Sequence, residues 1–443
     1  MSSLDYTTLE SNKRFKLNFD GGDLSSDAGL LLIKEFISKL HFDKLISSIF
    51  HTNDFSIRRT HKDDANLLQV IYQIFSAYYE DDCADELTND PILTAVLAKK
   101  SLASQPTLSR FYNRMDDNTL RQFDNLMKAM RRIVYKIKSP EFILLDLDST
   151  LLDTYGKQEG EDFNFHYQKH GYHPLVCYDG LTGDLLKIQL RDGAAYSSNG
   201  VADFLRPVLE ELSSMEFAPE LSLRGDSGFA TPELYELCEE DNYKVSYAIR
   251  LKINSKLRSL VKAEDALLFK MTQKNAVDYA VVYGEFYYQA RIWNKPRRVV
   301  FKIEKPYNQI THMYTFIVTN MTVDIKSVIK FYCGRGNMEN FIKESKNGFD
   351  FGAVSSHSKL VNANRLQIHA LSYNIFNWFK RLALCASMKK QCADTIRLKL
   401  IKIAVKVVRS GRYIYFKLCS SCPYISEFYE TLTNINSLQP QLE

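Results

Sequence analysis

The sequence predicts an α/β protein with a mostly helical first third and a β-rich segment past its middle. Three patterns carry that prediction. Apolar residues recur at helical spacing through residues 1–138, short apolar runs end in Asp near residues 148 and 226, and strand-like runs fill the stretch from Lys244 to Asn320. At 443 residues the chain is long enough for two or three domains with sizeable cores. The patterns divide it into 1–138, 139–245, 246–320, 321–384 and 385–443.

The elements follow in order. DAGLLLIKEFISKL and ANLLQVIYQIFSAYYE are amphipathic and preceded by Asp or Ser capping signals. QPTLSRFYNRM reads as a turn into a long helix, NTLRQFDNLMKAMRRIVYKI. In EFILLDLDSTLLD an apolar run delivers Asp146 and Asp148 to the end of a buried strand. ELSLRGDSGF repeats the arrangement, with Asp226 entering Gly-rich turn chemistry. KVSYAIR, YAVVYGEFYYQARIW, RRVVFKIE and MYTFIVTN are the strand-like runs of the β-rich segment. A helix begins near Asp324 or just after Gly336, because Gly334 and Gly336 weaken the turn between them. From Cys385 onward the chain reads as an amphipathic, basic tail that frays into a polar end.

Composition excludes some classes. Hydrophobic content of 45% and charged content of 25% are those of a soluble globular chain. With no 18-residue apolar stretch and no signal-peptide core, a membrane span is not expected, and the cytoplasm is. Eight scattered cysteines read as free thiols: Cys419 and Cys422 lack a second pair for zinc. His166, His170 and His173 precede a strand and enclose a glycine, so structural or DNA-facing roles suit them better than metal ligation. The net charge of +4 hides an asymmetry. Residues 321–420 hold 18 Lys and Arg against 5 Asp and Glu, a net of +13, which leaves −9 for the remainder. Such a division points to a polyanion-binding surface in the last third, against the plainer reading of solvated basic helices.

The chemistry concentrates in FYCGRGNMENFIKESKNGFD. Tyr332, Arg335, Glu339 and Lys346 lie at offsets of three, four and seven. On one helix they share a stripe about 60° wide. A solvated face with ion pairs explains the spacing alone equally well. A metal ion beside a phosphate explains it with chemistry: Glu339 on the metal, Arg335 and Lys346 on phosphate oxygens, and the Tyr332 hydroxyl in support. Asp148 and Asp226 lie 78 and then 113 residues before their next partner in an Asp, Asp, Glu series. Three such carboxylates can hold two Mg²⁺ ions for in-line phosphoryl transfer, and Mn²⁺ can substitute.

In these motifs the chain resembles the DDE transposases of bacterial insertion sequences whose third motif reads Tyr, Arg, Glu, Lys, and most closely their group-1 branch. The residues that carry the resemblance are D-x-D-x-T at Asp146 to Thr150, the run from Tyr172 to Gly193, and R-x-D-S-G-F at Arg224 to Phe229. The Tyr332-to-Lys346 stripe completes them, and YYEDDCADELTNDP and LASQPTLSRFYNR look like that branch's N-terminal part. The resemblance runs from about residue 20 to about residue 385 and departs at Cys333 and Gly334. It implies an RNase H-like catalytic core interrupted by the β-rich insertion, with end recognition in the N-terminal region.

The resemblance also implies Asp148, Asp226 and Glu339 as catalytic metal ligands. Asp148 is preferred because Ser149 and Thr150 follow it, leaving Asp146 as a supporting residue behind it. The implied partners are double-stranded DNA at transposon ends and at the target, handled by a homodimer assembled on DNA and associated with the bacterial nucleoid. Trp293, with Arg297 and Arg298, suits stacking on an extruded base while the arginines hold the backbone; packing in the core suits Trp293 as well. Two other readings stay open. LDLDSTLLDT resembles the first motif of haloacid-dehalogenase-like phosphatases, although it begins late and leaves the stripe unexplained. A catalytically inactive DNA-end-binding protein would keep the same residues.

Overall fold

In the computed structural model, the structure describes residues 6–54, 56, 58–272, 279–309 and 311–440. The chain forms two compact units. One comprises residues 1–133, 348–350 and 371–443; the other comprises 134–347 and 351–370.

The first unit is built on helices, among them Leu30–Lys39, Phe42–Ile49, Asp63–Phe75, Gln105–Asn113 and Asp117–Ile137. Their buried faces follow the expected spacing: Leu30, Leu32, Ile33, Phe36 and Ile37 turn inward from the first. The C-terminal segment, expected as an amphipathic, basic tail, forms regular elements up to Ser437. Val405–Ser410 and Tyr413–Leu418 form a hairpin whose first strand also pairs with Leu24–Ser25. Helix Ile425–Ser437 follows. Buried Arg397 donates to the carbonyls of Ile74 and Phe75 in the last turn of the helix Asp63–Phe75, where intrahelical donors run out.

The second unit is organised by one mixed eight-stranded sheet. Its strands are β1 (Phe142–Ser149), β2 (Leu175–Asp179), β3 (Leu185–Gln189), β4 (Glu220–Gly225), β5 (Ser246–Arg250), β6 (Ala280–Tyr288), β7 (Arg297–Lys305) and β8 (Met313–Thr319). Their spatial order is β6-β7-β8-β5-β4-β1-β2-β3. The centre is parallel: β4 runs parallel to both β1 and β5. All other neighbours are antiparallel. Central strands are buried on both faces, as parallel strands require, which is why EFILLDLDS reads as an almost continuous apolar run.

The segment 246–320 is not all strand. Helices Ser255–Leu260 and Lys262–Thr272 stand between β5 and β6, and β6 to β8 extend the central sheet instead of forming a separate one. Helices α1 (Val201–Ser213) and α2 (Pro232–Glu239) fill the crossovers into β4 and β5. After β8 the chain forms α3 (Ile325–Cys333) and α4 (Gly336–Phe349). Asp324 caps α3 by accepting from the Ser327 amide. Val328 and Ile329 of α3 pack against Ala248, Val300 and Ile317 of the sheet. No helix among the described residues is long and apolar enough to cross a membrane.

Candidate active site

The site begins with register. Parallel pairing of β1 with β4 sets Asp146 opposite Arg224, and pairing of β4 with β5 sets Gly225 opposite Ile249. Continued by one or two residues, these registers bring Asp148, Asp226 and Arg250 into one row across the carboxyl ends of three adjacent strands. Neighbours in such a row are about 4.8 Å apart in the hydrogen-bonding direction. The row also lies where the order switches, since β2 and β3 leave β1 on one side and β4 and β5 on the other. That is the usual place for ligands in open α/β sheets.

Asp146 and Asp148, two residues apart on one strand face, have different fates. Asp146 is fully buried and takes both ends of the Arg224 guanidinium, with Nε donating to Oδ1 at 2.7 Å and Nη2 to Oδ2 at 2.6 Å. Burial raises its pKa against the pull of Arg224. Locked this way it is no free nucleophile, which removes the phosphatase reading, in which that Asp accepts a phosphoryl group. Asp148 reaches partial exposure at the strand end. Its Oδ2 accepts from Arg335 Nη2 at 2.9 Å. Burial pushes its carboxyl up to about 6; Arg335 and the Ser149 amide pull it down, while the Asp226 and Glu339 charges push it further up.

Asp226 follows β4 and caps a short 3₁₀ turn by accepting from the Gly228 amide at 2.8 Å. Glu339 is exposed on the first turn of α4. That helix is fixed on β2 by the Tyr178 and Ser345 hydroxyls, 2.6 Å apart, and by Phe341 against Tyr178. A Cβ on Gly183 would come within 2.8 Å of the Phe341 ring, so the tight β2–β3 turn is part of that seat.

The Tyr332-to-Lys346 stripe does not lie on a single helix. Gly334 closes α3 and Gly336 opens α4, so Tyr332 belongs to one helix, Glu339 and Lys346 to the next, and Arg335 to the corner. The break has a steric reason: Arg224 Nη1 donates to the Phe331 carbonyl at 2.8 Å and would stand 2.7 Å from a Cβ at position 334. Arg335 also donates to the Leu147 carbonyl at 3.1 Å, and Lys346 Nζ donates to the Leu151 carbonyl at 2.5 Å. Burial lowers the Lys346 pKa. Both cations are therefore held against β1 and its exit.

Trp293, Arg297 and Arg298 lie elsewhere in this unit. Trp293 is 6% exposed, edge-on to Tyr235 and Tyr288, with Arg297 over its ring. Arg297 donates to both oxygens of Glu239, and Arg298 to Glu285 and to the carbonyls of Met321 and Val323. A base could reach the indole only after this cluster opened. The three histidines do not converge: His170 pairs with Glu161, and buried His173 donates to the Ala195 carbonyl.

Sequence reasoning missed three residues. Arg224 was legible, because R-x-D read against D-x-D in parallel register puts Arg opposite Asp. Tyr167 donates to the Ser149 carbonyl at 3.3 Å, and burial with the Asp148 and Asp226 charges raises its phenol pKa. Arg250, the last residue of β5, carried no motif. Among the described residues no three carboxylate, histidine or cysteine side chains stand close enough together to hold one ion. The donor set nevertheless suits a hard divalent cation: it is all oxygen, its carboxylates repel one another, and Arg335 already stands in for a positive charge there.

The comparisons with known proteins complete the picture. No curated protein sequence matches the chain. Among solved structures, a cryo-EM structure of a piggyBac transposase synaptic complex with hairpin DNA aligns with 85% of this chain and 79% of its own. The identity is 13% and the TM-score 0.44. The family model for the transposase DDE domain, group 1, matches residues 7–440. Spanning nearly the whole sequence, that match shows that the chain belongs to the group 1 DDE transposases and is a transposase enzyme.

Proposed function

We propose that this transposase cuts DNA at the ends of a bacterial insertion sequence and joins them to target DNA, using Asp148, Asp226 and Glu339 to hold two Mg²⁺ ions. The observation that carries the reading is the carboxylate row: Asp148 and Asp226 end adjacent parallel strands, and the charge of Glu339 reaches Asp148. The order β3-β2-β1-β4-β5, with only β2 running against its central neighbour, supports an RNase H-like core as the frame of that row. When bound, the ions supply an activated water or 3′-hydroxyl and stabilise the leaving oxygen.

The chain's own residues do the rest. Asp146 and Arg224 hold β1 and β4 in register beneath the row. Arg335 neutralises Asp148 and, in the presence of DNA, exchanges that carboxylate for a backbone phosphate, whose two free oxygens fit the same guanidinium fork. Lys346 steadies the exit of β1 at Leu151. The basic last third supplies non-specific attraction to DNA. Joining two ends requires two active sites, so the working form is a dimer assembled on DNA.

The test uses duplexes that carry the DNA flanking the coding region. Asp148→Asn, Asp226→Asn and Glu339→Gln should each cut Mg²⁺-dependent cleavage by more than the roughly hundredfold that loss of a merely supporting group costs. DNA binding should persist in all three. Full cleavage by Asp148→Asn would falsify the assignment. Binding without any cleavage by the unaltered protein would instead favour the inactive end-binding reading.

A further inference from the structure

Two cysteines of the other unit stand together at a turn near the C-terminus. Cys419 and Cys422, three residues apart, are the most closely spaced pair among the eight cysteines of the sequence. Cys419 closes the hairpin Val405–Ser410 and Tyr413–Leu418, its amide donating to the Ala404 carbonyl at 2.9 Å. The chain then turns. The Cys422 amide donates to the Cys419 carbonyl at 3.2 Å, and Pro423 follows before the helix Ile425–Ser437. A hydrogen-bonded turn of four residues keeps its end Cα atoms within about 7 Å. Disulfides span Cα separations of roughly 4.4–6.8 Å. Both cysteines also line one cavity of about 220 Å³, together with Phe416, Leu418, Phe428 and Tyr429.

Accessibility and environment set this pair apart from the other thiols. Cys177, Cys238 and Cys385 are buried, whereas Cys419 and Cys422 are half-buried at the cavity. Cys83 is half-buried too, but burial and the charge of Glu86 raise its thiol pKa. Cys333 and Cys392 are exposed, and neither has a cysteine close to it in sequence. At the turn, Ser421 brings its hydroxyl to 3.1 Å from Cys419 Sγ, and with its amide it holds that thiol below the usual cysteine range. The thiolate is the form that attacks a disulfide, so Cys419 is the first to react and Cys422 is placed to resolve.

We propose that Cys419 and Cys422 form a reversible dithiol site, which a low-molecular-weight disulfide of the glutathione class oxidises to a disulfide within the turn. The Cys419 thiolate attacks one sulfur of that disulfide, giving a mixed disulfide and releasing one thiolate, which takes up a proton. Cys422 then gives up its proton and attacks Cys419 Sγ, breaking the mixed bond and releasing the second thiol. Two electrons leave the protein, and one small disulfide becomes two thiols. The new bond staples the end of the hairpin to the turn from which the C-terminal helix starts. The site is independent of the cleavage chemistry at the carboxylate row.

The experiment equilibrates the full chain with reduced and oxidised glutathione at a series of ratios, quenches with acid, and alkylates the remaining thiols in denaturant. Peptide mass spectrometry then reads each cysteine. Cys419 and Cys422 should lose their label together, in one transition, on a peptide lighter by two hydrogens. Cys333 and Cys392 should keep their label at the ratios that oxidise the pair. In Cys422→Ser, Cys419 should carry glutathione as a trapped mixed disulfide. Ser421→Ala should shift the pH midpoint of Cys419 alkylation upward. Oxidation should slow amide exchange across Ile425–Ser437 roughly tenfold in the unaltered protein and leave it unchanged in Cys419→Ser.

Full labelling of both cysteines in oxidised glutathione alone overturns the site. A disulfide that joins two chains, seen as a dimer on a non-reducing gel, overturns the pairing within the turn. Loss of label at Cys333 and Cys392 at the same ratios marks general thiol oxidation and overturns the selectivity of the pair. A disulfide within the turn that leaves exchange of the helix unchanged keeps the modification and refutes the staple.

Discussion

Asp146 and Asp148 show how little sequence distance separates a fully buried, Arg-paired carboxylate from one at the partly exposed end of the same strand. Removing one partner of the buried Asp146–Arg224 pair leaves a charge without compensation, and Asp146→Asn or Arg224→Met should each cost about 3–5 kcal/mol in urea unfolding. The double substitution should cost less than the sum. Asp179 offers a pH test away from the row. It is fully buried at the start of the β2–β3 turn, and burial, partly opposed by hydrogen bonds from Thr182 and two amides, pushes its carboxyl up to about 6. The folded state therefore binds this proton more tightly than the unfolded chain, and stability falls as pH rises from about 4 to about 6. The fall should be roughly 2–3 kcal/mol for this group. Asp179→Asn should remove that part of the slope in urea titrations at pH 4.5 and pH 7.

The corner between α3 and α4 is the element on which the site depends most. Gly334→Ala forces a methyl against Arg224 Nη1 and should break the bond to Phe331, lowering stability by roughly 1–2 kcal/mol and reducing cleavage. Gly336→Ala meets nothing within 4 Å at the first residue of α4 and should stabilise by up to about 1 kcal/mol. Equal effects of the two changes on the thermal midpoint would remove the steric account of the corner. Sequence reasoning reached the strands and their terminal aspartates because both are local patterns, an apolar run ending in turn chemistry. It reached the weak turn at Gly334 and Gly336 for the same reason. The engagement of Arg335 with Asp148 lies 187 residues away along the chain and leaves no periodic trace in either segment.

At the level of the two units, the C-terminal segment shows where composition misleads. Its Lys and Arg content suggested an amphipathic, basic tail, yet Arg397 is among the buried residues and Val405 pairs with Ser25. A chain ending at residue 392 should lose the cooperative unfolding transition of the first unit by circular dichroism, whereas one ending at residue 437 should keep it. Intact cooperativity in the shorter chain would show that the hairpin and Arg397 are dispensable.

Arg224 carries a further consequence. One guanidinium grips β1 through Asp146 and α3 through the Phe331 carbonyl, 107 residues further along the chain. With β8 also laid against β5, the two banks of the site are bolted together independently of the path between them. For an engineer, the excursion through residues 255–272 is then a replaceable part. Doubling its length adds only about 0.6 kcal/mol of closure entropy. A new DNA-reading module could be spliced there without redesigning the row that it would serve.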